Sequence, residues 1–352
     1  MASIFFTGFP GFLGSEMLPR VLARIDGVAL CLVQPKFRAL AEERAFAIES
    51  KHRELAGRIR IVDGDLTQSL DHIDASDVVE IHHFAAAYDL AVKRDVGMRV
   101  NVTGTQRVLD LAQRAPHLQR LHYVSTCYVS GRYRGVFTED DLEKGQTFNN
   151  YYEETKYLAE IEVRKRMSRI PTTIYRPSVV VGDSTTGATQ KFDGPYFVMQ
   201  WILRQPRIAV LPVVGRPSRY TFNVVPRDFV MHAMELLAAR SESVGRTYAL
   251  ADPDPMTVDE TIDTIAHCTG HTIVRIPMPK FIAKGALDYV PGVYRLMRIP
   301  SAAVDYFDHP THYDTTHVQQ DLGIPAPRLR DYAPKLVEFV RAHPEIGAAA
   351  MT

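Results

Sequence analysis

The first 180 residues alternate short apolar runs with longer amphipathic stretches. The runs Ile4–Thr7, Ala29–Val33, Ile59–Asp63, Val78–Phe84, Arg120–Ser125 and Thr172–Tyr175 read as strands. Between them, Phe12–Ile25, Phe37–Ser50, Val96–Ala115 and Tyr151–Ser168 read as helices. In the last of these, Tyr151, Leu158, Ile161 and Val163 are interleaved with charge, so one face packs and the other is wet. Strands that each lead through a helix to the next predict an α/β fold, a doubly wound parallel sheet of Rossmann type. Beyond about residue 183 the pattern loosens and Pro195, Pro206, Pro212, Pro217 and Pro226 intervene. A helix near Asp228–Ala239, a strand at Thr247–Ala251 and a helix at Thr257–Thr269 follow. The expected organisation is a cofactor domain over 1–182, to which 223–251 returns, and a smaller substrate-binding part from 183–222 and 252–352.

Composition narrows the class. Lys plus Arg and Asp plus Glu both total 41, and a balanced charge argues against a nucleic-acid binder. Cys31, Cys127 and Cys268 lie far apart, which excludes a disulfide scaffold and fits a reducing compartment. No stretch reaches the roughly 18–20 apolar residues of a transmembrane segment. The N-terminus has no basic region and enters the first strand at once, so a cytoplasmic protein is expected.

Chemistry enters at the turn after the first strand. Thr7-Gly8-Phe9-Pro10-Gly11-Phe12-Leu13-Gly14 has the spacing G-x-x-G-x-x-G between a strand and a helix. There a dinucleotide pyrophosphate meets exposed N–H groups and the positive end of a helix. Thr7, Gly8, Phe9, Gly11, Phe12, Leu13 and Gly14 are the residues expected against it. At the end of the second strand, where an acid would hold an adenine ribose, stands Gln34, with Lys36, Arg38 and Arg44 following. Bases without an acid favour a 2′-phosphate, hence NADPH. Asp65, with Leu66 after it, is placed to reach the adenine.

Tyr152 and Lys156 stand one turn apart on one helix face. An ammonium near a phenol stabilises phenolate, and the same lysine is suited to holding a nicotinamide ribose. At the end of the fifth strand, Ser125-Thr126-Cys127-Tyr128-Val129-Ser130-Gly131 offers a hydroxyl to the same carbonyl oxygen. Thr126 and Ser125 compete for that role.

Thr7–Gly14, Thr126, Tyr152 and Lys156 together resemble the extended short-chain dehydrogenase/reductase superfamily. In that superfamily the hydroxyl residue stands five before the closing glycine, here Gly131, which selects Thr126. His83-Phe84-Ala85-Ala86 resembles the stretch beside the nicotinamide, and Asn101-Val102-Thr103-Gly104-Thr105 the helix motif whose Asn supports a proton relay. Tyr175-Arg176-Pro177-Ser178-Val179-Val180-Val181-Gly182-Asp183-Ser184-Thr185-Thr186-Gly187 is similar to the run found in fatty acyl-CoA reductases and carrier-protein thioester reductases. The resemblance implies cofactor contacts at Ala85, Ala86, Asn101, Pro177 and Val180. It also implies catalysis by Thr126, Tyr152 and Lys156, an acyl-CoA or acyl-carrier thioester as substrate, and a monomer or homodimer. Gln34 departs from that branch, which often has arginine there. No adenylation or carrier domain accompanies the motifs, so the thioester is expected from outside.

Three features of the second half remain. Gly194–Arg227 holds no acid but has Arg204, Arg207, Arg216, Arg219 and Arg227 among aromatics, a candidate surface for coenzyme A or phosphopantetheine phosphate. Phe281–Ile299 is amphipathic, with Leu296 and Met297 beside Arg295 and Arg298. It is a candidate acyl-tunnel wall, peripheral membrane contact or lid. His309, His312 and His317 match no metal-site spacing, and no metal is expected.

Overall fold

The computed structural model describes residues 2–347 apart from 292 and 298. Seven strands form its main sheet: β1 (Ser3–Thr7), β2 (Val28–Val33), β3 (Ile59–Asp63), β4 (Val78–His83), β5 (Arg120–Val124), β6 (Thr172–Pro177) and β7 (Thr247–Leu250). Their spatial order is β3-β2-β1-β4-β5-β6-β7, and every pair is parallel. The chain starts at β1, builds outward to β3, then returns to β4 on the other side. The carboxyl ends of β1 and β4 therefore flank the switch point, where ligands of such sheets bind.

The central strands are apolar without alternation because both faces are covered. Ile4, Phe5 and Phe6 are all fully buried. Phe6 and Ile4 pack with α1 (Phe12–Arg24) and the helix Arg227–Ala238 on one face. Phe5, Ile81 and Leu121 pack with the helices that precede and follow β5 on the other.

The predicted helix at Val96–Ala115 runs from Arg94 to Arg114, here α3. Its middle, Met98–Thr103, is π-helical between α-helical Arg94–Gly97 and Gly104–Arg114, and Asn101 sits in that middle.

The helix carrying the tyrosine and lysine, α4, spans Tyr151–Arg166. The Asn150 side chain caps it by accepting from the Glu153 N–H. Glu153 and Glu154 in its first turn and Arg164, Lys165 and Arg166 in its last suit the helix dipole.

The second half adds a core of its own, with Phe192, Tyr196, Ile202, Leu211, Ile265 and Leu336 among its buried residues. Strands that the hydrophobic pattern did not reveal lie here. Ile208–Val214 pairs in parallel with Thr272–Met278. Val224–Pro226 pairs with Val179–Val181, outside the main sheet. Among the described residues no helix is long and apolar enough to cross a membrane.

Candidate active site

A cavity of about 770 Å³ opens at the carboxyl ends of β1, β4, β5 and β6. One end is the glycine turn. Gly8 has φ +91°, and a Cβ there would stand 2.7 Å from the Phe84 backbone. A Cβ on Gly14 would stand 2.4 Å from the Gly8 carbonyl oxygen. The turn is therefore as tight as its composition implies. Gly11 caps α1 with no side-chain hydrogen bond, so the first-turn N–H groups are open to an anion. This cradle fits a dinucleotide pyrophosphate.

Of the residues expected to hold cofactor, Thr7, Gly8, Phe9, Gly11, Phe12, Leu13, Gly14, Lys36, Arg44, Asp65, Leu66, Ala85, Ala86, Pro177 and Val180 line the cavity. Two do not. The Arg38 guanidinium is turned onto Asp63 at 2.7 Å and Glu42 at 2.8 Å. A cation with two carboxylates beside it is already satisfied, so the expectation of a phosphate grip moves to Lys36 and Arg44. Arg44 donates to the Pro10 carbonyl and to Gln190 Oε1 at 3.0 Å, bridging the glycine turn and the second half. Asn101 lies behind the wall. It accepts from the Ala87 N–H at 2.7 Å and donates to Thr155 Oγ1 at 3.0 Å, bracing the strand-end loop against α4.

Thr126, Tyr152 and Lys156 line the same cavity. The Thr126 hydroxyl lies near enough to the Tyr152 phenol to favour its ionised form. Thr126 otherwise accepts from the Tyr128 N–H at 3.2 Å and donates only weakly, at 3.4 Å, to the Pro177 carbonyl. Its competitor Ser125 is committed elsewhere, donating to buried Glu160 at 2.6 Å. Glu160 is in turn held by fully buried Arg176 at 2.6 Å.

Burial pushes the Tyr152 phenol above its usual range, against the pull of Thr126. The lowering expected from the lysine is not found, and the phenol is raised instead. Lys156 instead donates to the Val124 carbonyl at 2.7 Å and the Tyr123 hydroxyl at 3.2 Å. Burial brings its ammonium down to about 7, with Glu160 opposing.

The rest of the cavity is apolar and aromatic, with Leu90, Phe197, Phe222, Ile299 and Phe307 among its lining. Tyr88 and Tyr306 also line it. Tyr88 meets the Tyr152 ring edge-on at 5.0 Å and carries the Lys191 ammonium 3.7 Å from its ring centre. Sequence reasoning missed these tyrosines, because they lie in loops or helices with no local motif.

None of the five arginines of Gly194–Arg227 lines the cavity. Arg216 and Arg219 are exposed, and Arg227 faces Glu16 at 3.2 Å. Phe281–Ile299 contains the helix Lys280–Tyr289, whose Ala283 and Leu287 pack on Val214 and Val304 while Phe281 and Tyr289 are exposed. Among the described residues of that stretch, Ile299 alone reaches the cavity. Arg298 and the Leu296 side chain lie outside the described residues.

His309, His312 and His317 do not converge: His309 bonds the Tyr313 hydroxyl, and His317 Nδ1 lies 3.0 Å from the Thr247 carbonyl. Among the described residues one histidine–carboxylate group does converge, Glu80 with His82 and His122. Arg24 forks its carboxylate at 2.8 and 2.5 Å, taking both oxygens.

A family model described as male sterility protein matches residues 6–234. A linear gramicidin synthase of Brevibacillus parabrevis is 30% identical over 78% of this chain and 6% of its own length. A putative fatty acyl-CoA reductase of Drosophila melanogaster is 26% identical over 55% of this chain and 46% of its own. The chain thus spans less than half the length of either relative. The terminal R domain from the myxalamid PKS-NRPS biosynthetic pathway superposes with a TM-score of 0.83 at 24% identity, over 99% of this chain and 92% of that one.

Proposed function

The chain belongs to the male sterility protein family, in the acyl-CoA and carrier-protein thioester reductase branch of the extended short-chain dehydrogenase/reductases, and on that premise we propose that it reduces acyl thioesters. The product is an aldehyde, with the alcohol as the outcome of a second round. The observation that carries this reading is the shared cavity. The glycine turn stands at one end, Thr126, Tyr152 and Lys156 in the middle, and an apolar wall suited to an acyl arm at the other.

A nicotinamide dinucleotide supplies hydride when bound, and Lys36 and Arg44 at the cavity wall support NADPH as the form used. Thr126 and Tyr152 donate to the thioester carbonyl oxygen, stabilising the charge that develops as carbon is reduced. Tyr152 suits the acid role because its raised phenol keeps its proton. Proton transfer from it completes a thiohemiacetal. Return of that proton through Tyr152 lets the C–S bond break, giving aldehyde and free thiol, so each round consumes one hydride and one proton. Lys156 holds the ribose edge of the site and keeps positive charge beside the tyrosine. Coenzyme A and a phosphopantetheinyl carrier both fit this reading, in a cytoplasmic, reducing setting.

NADPH oxidation against a fatty acyl-CoA and the matching aldehyde, with released thiol trapped in parallel, tests it. Thiol stoichiometric with the first NADPH supports a thioester reductase. Turnover of aldehyde alone would make the protein a carbonyl reductase with the same acid–base set.

A further inference from the structure

Two charges stand in the cavity that the chemistry above leaves unused. They come from the segment Lys191-Phe192-Asp193, just before the helix Pro195–Leu203. Phe192 is fully buried in the core of the second half, its ring 5.0 Å from that of Tyr196. Its N–H donates to the Gly347 carbonyl at 2.9 Å. Phe192 is thus the anchor, and Lys191 and Asp193 on either side of it line the cavity. Lys191 Nζ lies 2.5 Å from Asp193 Oδ2, with 16% and 15% of the two side chains exposed. Among the described residues neither has a second partner of opposite charge.

A pair so far withdrawn from water gains little unless further hydrogen bonds complete it. An ammonium has three hydrogens and a carboxylate about four lone-pair sites, so a single contact leaves both incomplete. The rest of that wall, with Leu90, Phe197 and Phe307, offers them nothing polar. The place of the pair is informative. Lys191 Nζ stands 3.7 Å from the centre of the Tyr88 ring, and Tyr88 meets the Tyr152 ring at 5.0 Å. The pair is therefore one ring beyond the acid. Its field reaches there, since burial raises the Tyr152 phenol and the Glu153 and Asp193 carboxylates add to the rise.

We propose that Lys191 and Asp193 form a subsite for a hydroxyl on the third carbon of the acyl arm, which makes 3-hydroxyacyl thioesters the preferred substrates. The inference rests on the thioester reading above and names the acyl group that it selects. A hydroxyl carries donor and acceptor on one atom, so one oxygen can face both members of a contact pair. It donates to Asp193 and accepts from Lys191. Other groups match less well. An amine is drawn to Asp193 but repelled by Lys191, and a carboxylate the reverse. A trans amide holds its N–H and C=O on opposite edges and meets one charge only. A methylene displaces water from the pair and replaces no hydrogen bond. With the carbonyl oxygen on Thr126 and Tyr152, a group one ring away lies a few bonds along the acyl arm. The pantoyl hydroxyl of coenzyme A lies in the other direction, beyond the sulfur and two amides.

The test compares kcat/KM, from thiol released with NADPH, for decanoyl-CoA and the two enantiomers of 3-hydroxydecanoyl-CoA. The coenzyme A part is common to all three, so any difference belongs to the acyl hydroxyl. One enantiomer is expected to exceed decanoyl-CoA by about tenfold to a hundredfold, the scale of a charge-assisted hydrogen bond. Lys191→Met combined with Asp193→Leu removes both charges and leaves none unpaired, and the preference should fall to about twofold or less. Asp193→Asn, nearly isosteric, is the second variant and should lower the preference about fivefold or more. NADP⁺ titration, followed by protein fluorescence, shows that each variant is folded. Equal use of all three substrates by the unaltered protein overturns the proposal. So does a preference that survives both sets of substitutions, or a loss of NADP⁺ affinity with the preference intact. Absent thiol release from every acyl-CoA would sink the thioester reading instead. The same ratios, read as NADPH oxidation with 3-hydroxydecanal and decanal, would then decide the subsite by themselves.

Discussion

Tyr152 and Lys156 share a helix face, yet burial acts on them in opposite directions. The phenol is driven up and keeps its proton, while the ammonium is driven down to about 7. Tyr152→Phe is expected to lower kcat by about 100-fold or more, the scale of a general acid combined with an oxyanion donor. NADPH affinity by fluorescence titration should change little. The lysine gives the reaction a pH dependence whose sign follows from its active form. Charged Lys156 is lost as pH rises through about 7 in the cofactor-free protein, so kcat/KM for NADPH should fall on the alkaline side of that value. A flat profile from about pH 6 to 9 would contradict the assignment. Thr126, Tyr152 and Lys156 were legible in the sequence because each belongs to a short local string. The spacing to Gly131 set Ser125 aside in favour of Thr126, but what Ser125 does instead, donating to Glu160 35 residues away, could not be read from the sequence.

At the scale of elements, α4 is fixed at its start by Asn150 and in its middle by the Glu160–Arg176 pair, which ties it to β6. Both partners are essentially excluded from water. Arg176→Met would leave the buried Glu160 carboxylate with only the part-exposed Arg164 beside it, and the expected loss of stability is about 3 kcal/mol, the low end for breaking a buried pair. Urea unfolding measures it, and a loss below about 1 kcal/mol would show that the pair merely replaces an apolar contact. The six first strands and their helices could be read within a few residues because each apolar run is closed by turn residues. The pairing of Ile208–Val214 with Thr272–Met278 could not. Ile208 and Val210 point to solvent while Ala209 and Leu211 point inward, so both faces are apolar and the period of two vanishes. The π-helical stretch of α3 was equally hidden, since its composition is that of an ordinary helix.

Across the whole molecule, buried imidazoles set the response to acid. His83, His122 and His309 are each held down at about 3 by burial, against about 6.5 in an unfolded chain. Their contribution is complete above the unfolded value and is lost as pH falls toward the folded one, because the unfolded chain takes up the protons first. Buried Glu139 and Glu153, both raised to about 7, act in the opposite sense. They favour the folded state on the acid side of 7 and lose that effect as pH rises. Buried His82 is lowered as well. Glu80 and Glu160, held low by their histidine and arginine partners, lose stability in the same direction, against raised Asp252 with Glu139 and Glu153. Tm from calorimetry should therefore decline as pH is lowered from about 6 to about 4. A rising Tm over that interval would reverse the balance.

The cavity has one further consequence. The turn and the acid–base groups come from residues up to Val180, whereas Phe197, Phe222, Ile299, Ala303 and Phe307 form much of the apolar wall. Tyr88 and Leu90 apart, the groups proposed to react and those proposed to select the acyl arm are written on separate stretches of chain. A lineage could therefore drift from one acyl length to another by altering the later stretch alone. A chimera carrying a relative's residues 190–222 and 299–307 should inherit that relative's chain-length preference while its pH profile stays where it was.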